Sequence, residues 1–277
     1  MRAPWVFLAG MVVGCGGATE PSPGLTGSYE LLETVSTWYL GLNLEVTGSS
    51  ITGTGLYSVF FGPVVVTGTY TPPDVHLVIV RSPLSASTGT NWREFRGRFE
   101  AGGLTGRLEP WTPAGKVNDG PEIVLARTDG APTGTATMTL EENGTTRTSE
   151  LFAWFTHFPN FLGDQQVVWL AIGSGDRPVP LTGVGFAAAW DGLTQPGPGS
   201  YTLAGAGPRL RQLSVGEVPE GGGAGRSFEV EEARIDIEVS KRFVLMGRVD
   251  IRATVAGSGE AVRITGRFGA GCQGTLC

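Results

Sequence analysis

Histidine is almost missing from this chain of 277 residues, which has only His76 and His157. That inventory excludes histidine-rich zinc sites and most Ser-His-Asp arrangements. His76 lies between Val75 and Leu77 in an alternating run and is expected to be a surface imidazole, not a ligand. No Gly-x-Ser-x-Gly elbow and no aspartate-rich calcium loop occurs. Gly221, Gly222 and Gly223 lack the lysine and following helix that a phosphate-cradling loop requires, so they read as a loop. Charged residues make up only 17% of the chain and the formal net charge is -6, which leaves no basic field for nucleic acid. The expectation is a protein without catalytic residues, metal, cofactor or nucleic-acid partner. A chain with 44 glycines and 18 prolines is also poorly suited to long helices, and its apolar content is too high for disorder.

No apolar run reaches the roughly 20 residues that cross a bilayer as a helix. The longest near the start, residues 4–13, follows Arg2 and is closed by Gly14 and Cys15. That pattern is a signal peptide. Its closing residues Val12-Val13-Gly14-Cys15 resemble the lipobox of bacterial lipoproteins, and the resemblance implies cleavage before Cys15 and acylation of its sulfur. Several acyl chains, at about 0.8 kcal/mol per buried methylene, would hold a soluble domain on a membrane. The competing reading is an ordinary secretory leader with an incidental cysteine. Gly16 after the cysteine, in place of an acidic retention residue, implies the outer membrane. If Cys15 carries lipid, Cys272 and Cys277 are left as an even pair in an oxidising compartment and are expected to form a disulfide.

Residues 15–24 are small, polar or proline and read as a tether reaching roughly 30 Å. A turn-rich stretch at 127–132 suggests a boundary, giving domains at 25–128 and 132–277 after a leader at 1–14. In the first, a unit of Thr or Arg, Gly, a short residue and a large apolar one recurs: Thr26-Gly27-Ser28-Tyr29, Thr67-Gly68-Thr69-Tyr70, Arg96-Gly97-Arg98-Phe99, Thr105-Gly106-Arg107-Leu108. Glycine inside a strand relieves crowding where a sheet bends. Strands near 26–33, 39–47, 51–60, 64–71, 75–81, 92–100, 103–109 and 122–127 are enough for an up-and-down barrel. The rhythm resembles the calycin group, the avidin- and lipocalin-type barrels. Trp38, Trp92 and Trp111 do not fall where a biotin site would need them, so no ligand residues follow from that resemblance.

In the second domain, Asn143-Gly144 between strand-like runs predicts a tight hairpin in preference to a glycosylation sequon. Ala233, Ile235, Ile237 and Val239 alternate with charged residues, as do Val249, Ile251, Ala253 and Val255. An antiparallel register with Asp236 opposite Arg248 also sets Arg234 against Asp250 and Glu232 against Arg252, and is predicted over shifts that oppose like charges. Phe228 and Val230 are out of phase with Ala233, so a β-bulge is predicted at Glu231-Glu232. The domain as a whole reads as an all-β sandwich of Greek-key or jelly-roll type. Past Thr156, aromatic residues mix with Pro159, Asn160 and Gly163, which reads as a loop. Phe158, Asn160, Phe161 and Asp164 are its candidate ligand-binding residues, suited to a sugar or peptide, with folding of the loop onto the sandwich as the alternative. The function expected is a membrane-anchored binding or scaffolding protein for an envelope polymer, peptide or small ligand. The alternatives are a small-ligand carrier with a cavity in the first domain, and a polymer hydrolase.

Overall fold

Alternating apolar and polar residues punctuated by glycine produce strands almost everywhere in the computed structural model, which describes residues 24–31, 38–60, 62–83, 90–161, 165–173, 183–191, 194–203, 210–218 and 225–272. The first sheet contains β1 (Gly27–Leu31), β2 (Leu40–Thr47), β3 (Ser50–Tyr57), β4 (Gly62–Thr71), β5 (Asp74–Arg81), β6 (Trp92–Glu100), β7 (Gly103–Thr112), β8 (Gly115–Lys116) and β9 (Glu122–Thr128). From β1 to β7 each strand pairs antiparallel with the next, β9 pairs with β7, and β1 pairs with β9. Eight strands thus close an up-and-down barrel, with β8 a short appendage on β7. This is the architecture the glycine rhythm predicts, strand for strand.

The register fixes which residues point inward. Leu42 pairs with Gly55, Gly55 with Val64, Val66 with Ile79, Leu77 with Phe95, Phe95 with Leu108, and Leu104 with Leu125. Tyr29, Leu42, Val66, Leu77, Ile79, Phe95, Leu104 and Leu125 are all fully buried in one continuous cluster, so side chains fill the middle of the barrel. The recurrent glycines make room for them. Gly97 faces Gly106 across β6 and β7, and the Phe95 ring lies over Gly97.

The second sheet contains β10 (Thr135–Glu142), β11 (Thr145–Phe161), β12 (Gln165–Gly173), β13 (Gly183–Asp191), β14 (Gly199–Thr202), β15 (Leu210–Val218), β16 (Arg226–Lys241), β17 (Val244–Val255) and β18 (Ala261–Cys272). The sandwich expected here is not what forms. Strands β10 to β13 and β15 to β18 again follow a meander, and β18 pairs back onto β10, closing a second eight-stranded antiparallel barrel. Strand β14 lies outside it, on the edge of β16. Greek-key topology needs a connection that skips a neighbour, and each of these eight strands pairs with the next of the eight along the chain. Gly247 and Gly266 let the long strands coil. A Cβ on Gly247 would lie 2.1 Å from the Asp236 carbonyl oxygen, and one on Gly266 would lie 2.4 Å from Met138 Sδ.

Three local predictions are met. Asn143 and Gly144 both have positive φ, 50° and 73°, as the two-residue turn between β10 and β11 demands. Asp236, Arg234 and Glu232 oppose Arg248, Asp250 and Arg252, and the register slips between Val230 and Glu232. Of those three pairs only Glu232–Arg252 closes as a direct ion pair, at 3.0 Å. Arg248 turns to Glu238 at 2.5 Å and Asp250 to Arg263 at 2.9 Å, because neighbouring strands offer carboxylates and guanidinium groups diagonally.

One end of the second barrel is closed by charge. Glu142, Arg147, Glu217 and Arg226 occupy inward-facing positions at the ends of their strands. Arg226 donates to both Glu142 oxygens, at 2.6 and 2.9 Å, and to Glu217. Arg147 contacts Glu142 at 2.8 Å and Glu217 at 2.9 Å. Two cations and two anions make a matched set.

The barrels touch. Leu56 and Tyr39 point away from the first interior and join the apolar cluster of the second. The Asn43 amide brackets the connecting segment, its Nδ2 donating to Ala131 O at 2.8 Å and its Oδ1 accepting from Ala131 N at 3.2 Å. Lys241 Nζ reaches Glu30 at 2.5 Å. Leu56 is 1% exposed and packs on Gly271, where a Cβ would lie 2.6 Å from Leu56 Cδ1. Leu56→Ala is expected to destabilise the protein by about 2–4 kcal/mol, measured by urea unfolding. A loss under about 0.5 kcal/mol would mean that the barrels do not share this contact in solution.

Candidate functional site

The outer face of β6 and β7 carries a polar cluster built by their hairpin register. With Glu100 opposite Gly103, the pairing sets Trp92 against Trp111, Glu94 against Glu109 and Arg96 against Arg107. The two indoles stack with centroids 6.0 Å apart and planes 17° from parallel. Beside them are two carboxylates, Glu94 and Glu109, whose side chains are only 12% and 11% exposed. Like charges directly opposite each other destabilise a sheet unless other groups compensate. Here Arg96 donates to Glu94 at 2.6 Å and comes within 3.8 Å of Glu109. His76 Nε2 lies 3.0 Å from Glu94, and Lys116 on β8 donates to Glu109 at 2.6 Å and to Asp119 at 2.8 Å. His76 thus faces outward and joins the hydrogen bonds around Glu94, in keeping with its expected place on an outer strand face.

These contacts decide the chemistry open to the carboxylate pair. Burial pushes the Glu94 carboxyl up, but hydrogen bonds from His76, Trp92 and Arg96 outweigh it and hold the group below its ordinary value. Asp119, hydrogen-bonded by Lys116, is likewise lowered, and Lys116 is raised by Asp119 and Glu109. A general acid for glycoside hydrolysis needs a raised carboxyl and a partner carboxylate left open for water or sugar. Glu94 has neither property. What the cluster offers is a fixed face of stacked indoles bordered by charge, suited to apolar and hydrogen-bonding contact with a partner. Among the described residues, no group of three or more His, Cys, Asp and Glu side chains is placed to hold a metal ion.

The residues singled out from the sequence are placed differently. Strand β11 continues through Phe161 and pairs with β12, with Phe158 opposite Val167 and Phe161 opposite Gln165 and an irregularity between them. Phe158, Asn160 and Phe161 therefore belong to a strand, not to the expected loop, because β12 supplies pairing partners for this backbone. Asp164 lies outside the described residues. Cys272 ends β18, buried and opposite Phe155, while Cys15 and Cys277 lie outside the described residues. The cluster on β6 and β7 was missed, although the sequence carries a signal for it. Trp92-Arg93-Glu94-Phe95-Arg96-Gly97 is mirrored by Gly106-Arg107-Leu108-Glu109-Pro110-Trp111 about a turn at Ala101-Gly102. A hairpin closed at that turn brings like onto like.

Among the described residues, no helix is long and apolar enough to cross a membrane. No family model matches the chain, and neither a curated protein nor a solved structure was found similar to it, so its strand order and its surfaces are the grounds for a functional reading.

Proposed function

We propose that the protein is a lipoprotein of the bacterial cell envelope, held on the outer membrane through acylated Cys15, with its two barrels acting as a non-catalytic binding or scaffolding unit. The observation that carries the non-catalytic part is that fully buried side chains occupy the middle of the first barrel, which favours a partner held on an outer face over one enclosed within. The depressed Glu94 carboxyl, already committed to His76 and Arg96, points the same way. The Trp92–Trp111 face is the surface best suited to an envelope polymer or peptide. Support for the anchor comes from the sequence: a short apolar leader, the Val12-Val13-Gly14-Cys15 ending and the small-residue tether behind it. In such a compartment Cys272 and Cys277 are oxidised to a disulfide that closes a short loop.

Expression of the full chain in a Gram-negative host, followed by separation of membrane and soluble fractions, tests the anchor. The wild type is expected with the membranes and Cys15→Ser in the soluble fraction. Equal partitioning of the two would contradict it.

A further inference from the structure

On the outside of the first barrel, four successive strands present an apolar side chain at the same level. Val65 on β4 pairs with Val80 on β5, the pairing of Ile79 with Arg93 sets Val80 beside Trp92 on β6, and Trp92 pairs with Trp111 on β7. Val80 is 38% exposed, and Val65, Trp92 and Trp111 are half-buried. With strands about 4.8 Å apart, the row runs for roughly 15 Å across the sheet. Outward positions of a barrel strand in water are ordinarily polar, and the row interrupts that alternation on four strands at once.

Directed polar groups lie along one side of the row. Next along the strands come Thr67, Val78, Glu94 and Glu109, and then Thr69, His76, Arg96 and Arg107. Thr67 and Thr69 are exposed. Arg96 keeps 55% of its side-chain surface exposed while Glu94 holds Nη2 at 2.6 Å and Glu109 lies 3.8 Å from Nε. The guanidinium is thereby fixed in orientation with much of its surface open. Charges on this face cancel, Arg96 being paired with Glu94, Lys116 with Glu109 and Asp119, and Arg107 with Glu122.

These features select among partners. A peptide that adds to a sheet needs an unpaired strand edge, and β4 to β7 are hydrogen-bonded on both sides. A polyanion needs a surplus of cations, which the paired Arg96, Lys116 and Arg107 do not supply. The bilayer is disfavoured by position. Strand β1 starts, with Ser28 opposite Thr128, at the end of the barrel where β6 turns into β7, whereas the row lies at the other end, where β6 starts and β7 finishes. A molecule with flat apolar faces edged by hydroxyls fits what the face offers, and that is the chemistry of a sugar ring.

We infer that the Trp92–Trp111 face binds a neutral glycan, its sugar rings laid along Val65, Val80, Trp92 and Trp111 and its hydroxyls hydrogen-bonded by Arg96 and the neighbouring threonines. The inference rests on the binding role proposed above for this face and names the class of polymer it takes. Indole surface covers the C–H face of a sugar ring, and Arg96, already held by a carboxylate, donates to hydroxyl oxygens without first being ordered.

The test is calorimetric titration of the purified full chain with two neutral hexasaccharides, one of β-1,4-linked glucose and one of β-1,4-linked N-acetylglucosamine, and with a tryptic digest of casein as a peptide comparison. Wild type is expected to bind at least one hexasaccharide. Trp92→Ala and Trp111→Ala, verified as folded by circular dichroism, are expected to bind it about tenfold or more weakly. Should either fail to fold, Val80→Asp at an exposed position of the row is expected to weaken binding too, whereas Val124→Ala, exposed on β9 away from the row, should bind as wild type does. Binding of neither hexasaccharide by wild type would overturn the glycan assignment. Trp92-dependent binding of casein peptides alongside that result would leave the face as a binding surface for another class of partner, while binding of neither sugar nor peptide would count against the proposed binding role as well. Sugar binding undiminished in the folded tryptophan variants would overturn the assignment, as would a wild-type dimer in analytical ultracentrifugation that Trp111→Ala dissociates, since the row would then be covered by a second copy.

Discussion

Gly97→Ala is expected to destabilise the first barrel by about 3 kcal/mol or more, at or beyond the upper end of what overpacking usually costs. The added Cβ would lie 2.2 Å from Thr105 O, 2.7 Å from Gly106 Cα and 2.7 Å from Phe95 Cζ. Two of those atoms are backbone in the partner strand, so β6 and β7 would have to separate. The third belongs to a ring with no exposed surface, which has no free volume to retreat into. Gly130→Ala is the matched control, since a Cβ there meets nothing within 4 Å, and it should change stability by less than about 0.5 kcal/mol. Hydrogen exchange resolves the effect better than a single melting curve, because two barrels need not unfold as one unit. Protection should fall in β5 to β7 of Gly97→Ala, with β16 and β17 affected less.

Arg226→Met is expected to destabilise the second barrel by about 3 kcal/mol, the lower end of what breaking a buried ion pair costs, because Arg226 and Arg147 keep 32% and 48% of their side-chain surface exposed. It strands Glu217, which is 6% exposed, beside Glu142 with only Arg147 to serve both. The same network sets a pH dependence. Hydrogen bonding by Arg226, which outweighs the effect of burial, holds the Glu142 carboxyl below its ordinary value in the folded protein. A carboxyl lowered on folding contributes stability that is complete above its unfolded pKa, about 4.3, and is lost as pH falls through the folded value. Wild type should therefore lose stability on acidification below about pH 4.5. The gap between wild type and Arg226→Met should narrow there, since protonation both removes the salt bridge and relieves the stranded carboxylates. A gap that stays constant between pH 7 and pH 3 would remove Glu142 from this role.

Much of this architecture was legible because periodicity and turn chemistry are local. Alternation marked the eight strands of the first barrel, Asn143-Gly144 marked a hairpin, and the phase slip at Glu231-Glu232 marked a bulge. Closure of the second barrel was not legible. Whether β18 pairs with β10 depends on accumulated twist and stagger over eight strands, which no short window contains. The unit Thr265-Gly266-Arg267-Phe268, shared with the first barrel, was the one hint.

Charge pairing succeeded and failed for the same reason. Between β16 and β17 opposite charges face each other, and the argument from complementarity finds the register. Between β6 and β7 the turn at Ala101-Gly102, with both residues at positive φ, fixes a register that opposes Glu94 to Glu109 and Arg96 to Arg107. Cross-strand ion pairs contribute only about 0.2–1 kcal/mol, too little to overrule a turn and a line of buried Phe95, Leu108 and Leu104. Other neighbours then absorb the repulsion, Arg96 pairing with Glu94 two residues away on its own strand and Arg107 with Glu122 directly opposite on β9.

Intact-mass measurement of the protein extracted from host membranes tests the anchoring proposal most directly. The expected result is a chain beginning at Cys15 that carries a diacylglyceryl group and an amide-linked acyl chain, with two hydrogens fewer than the reduced form because Cys272 and Cys277 are joined. An unacylated chain, or one beginning at another residue, would contradict it.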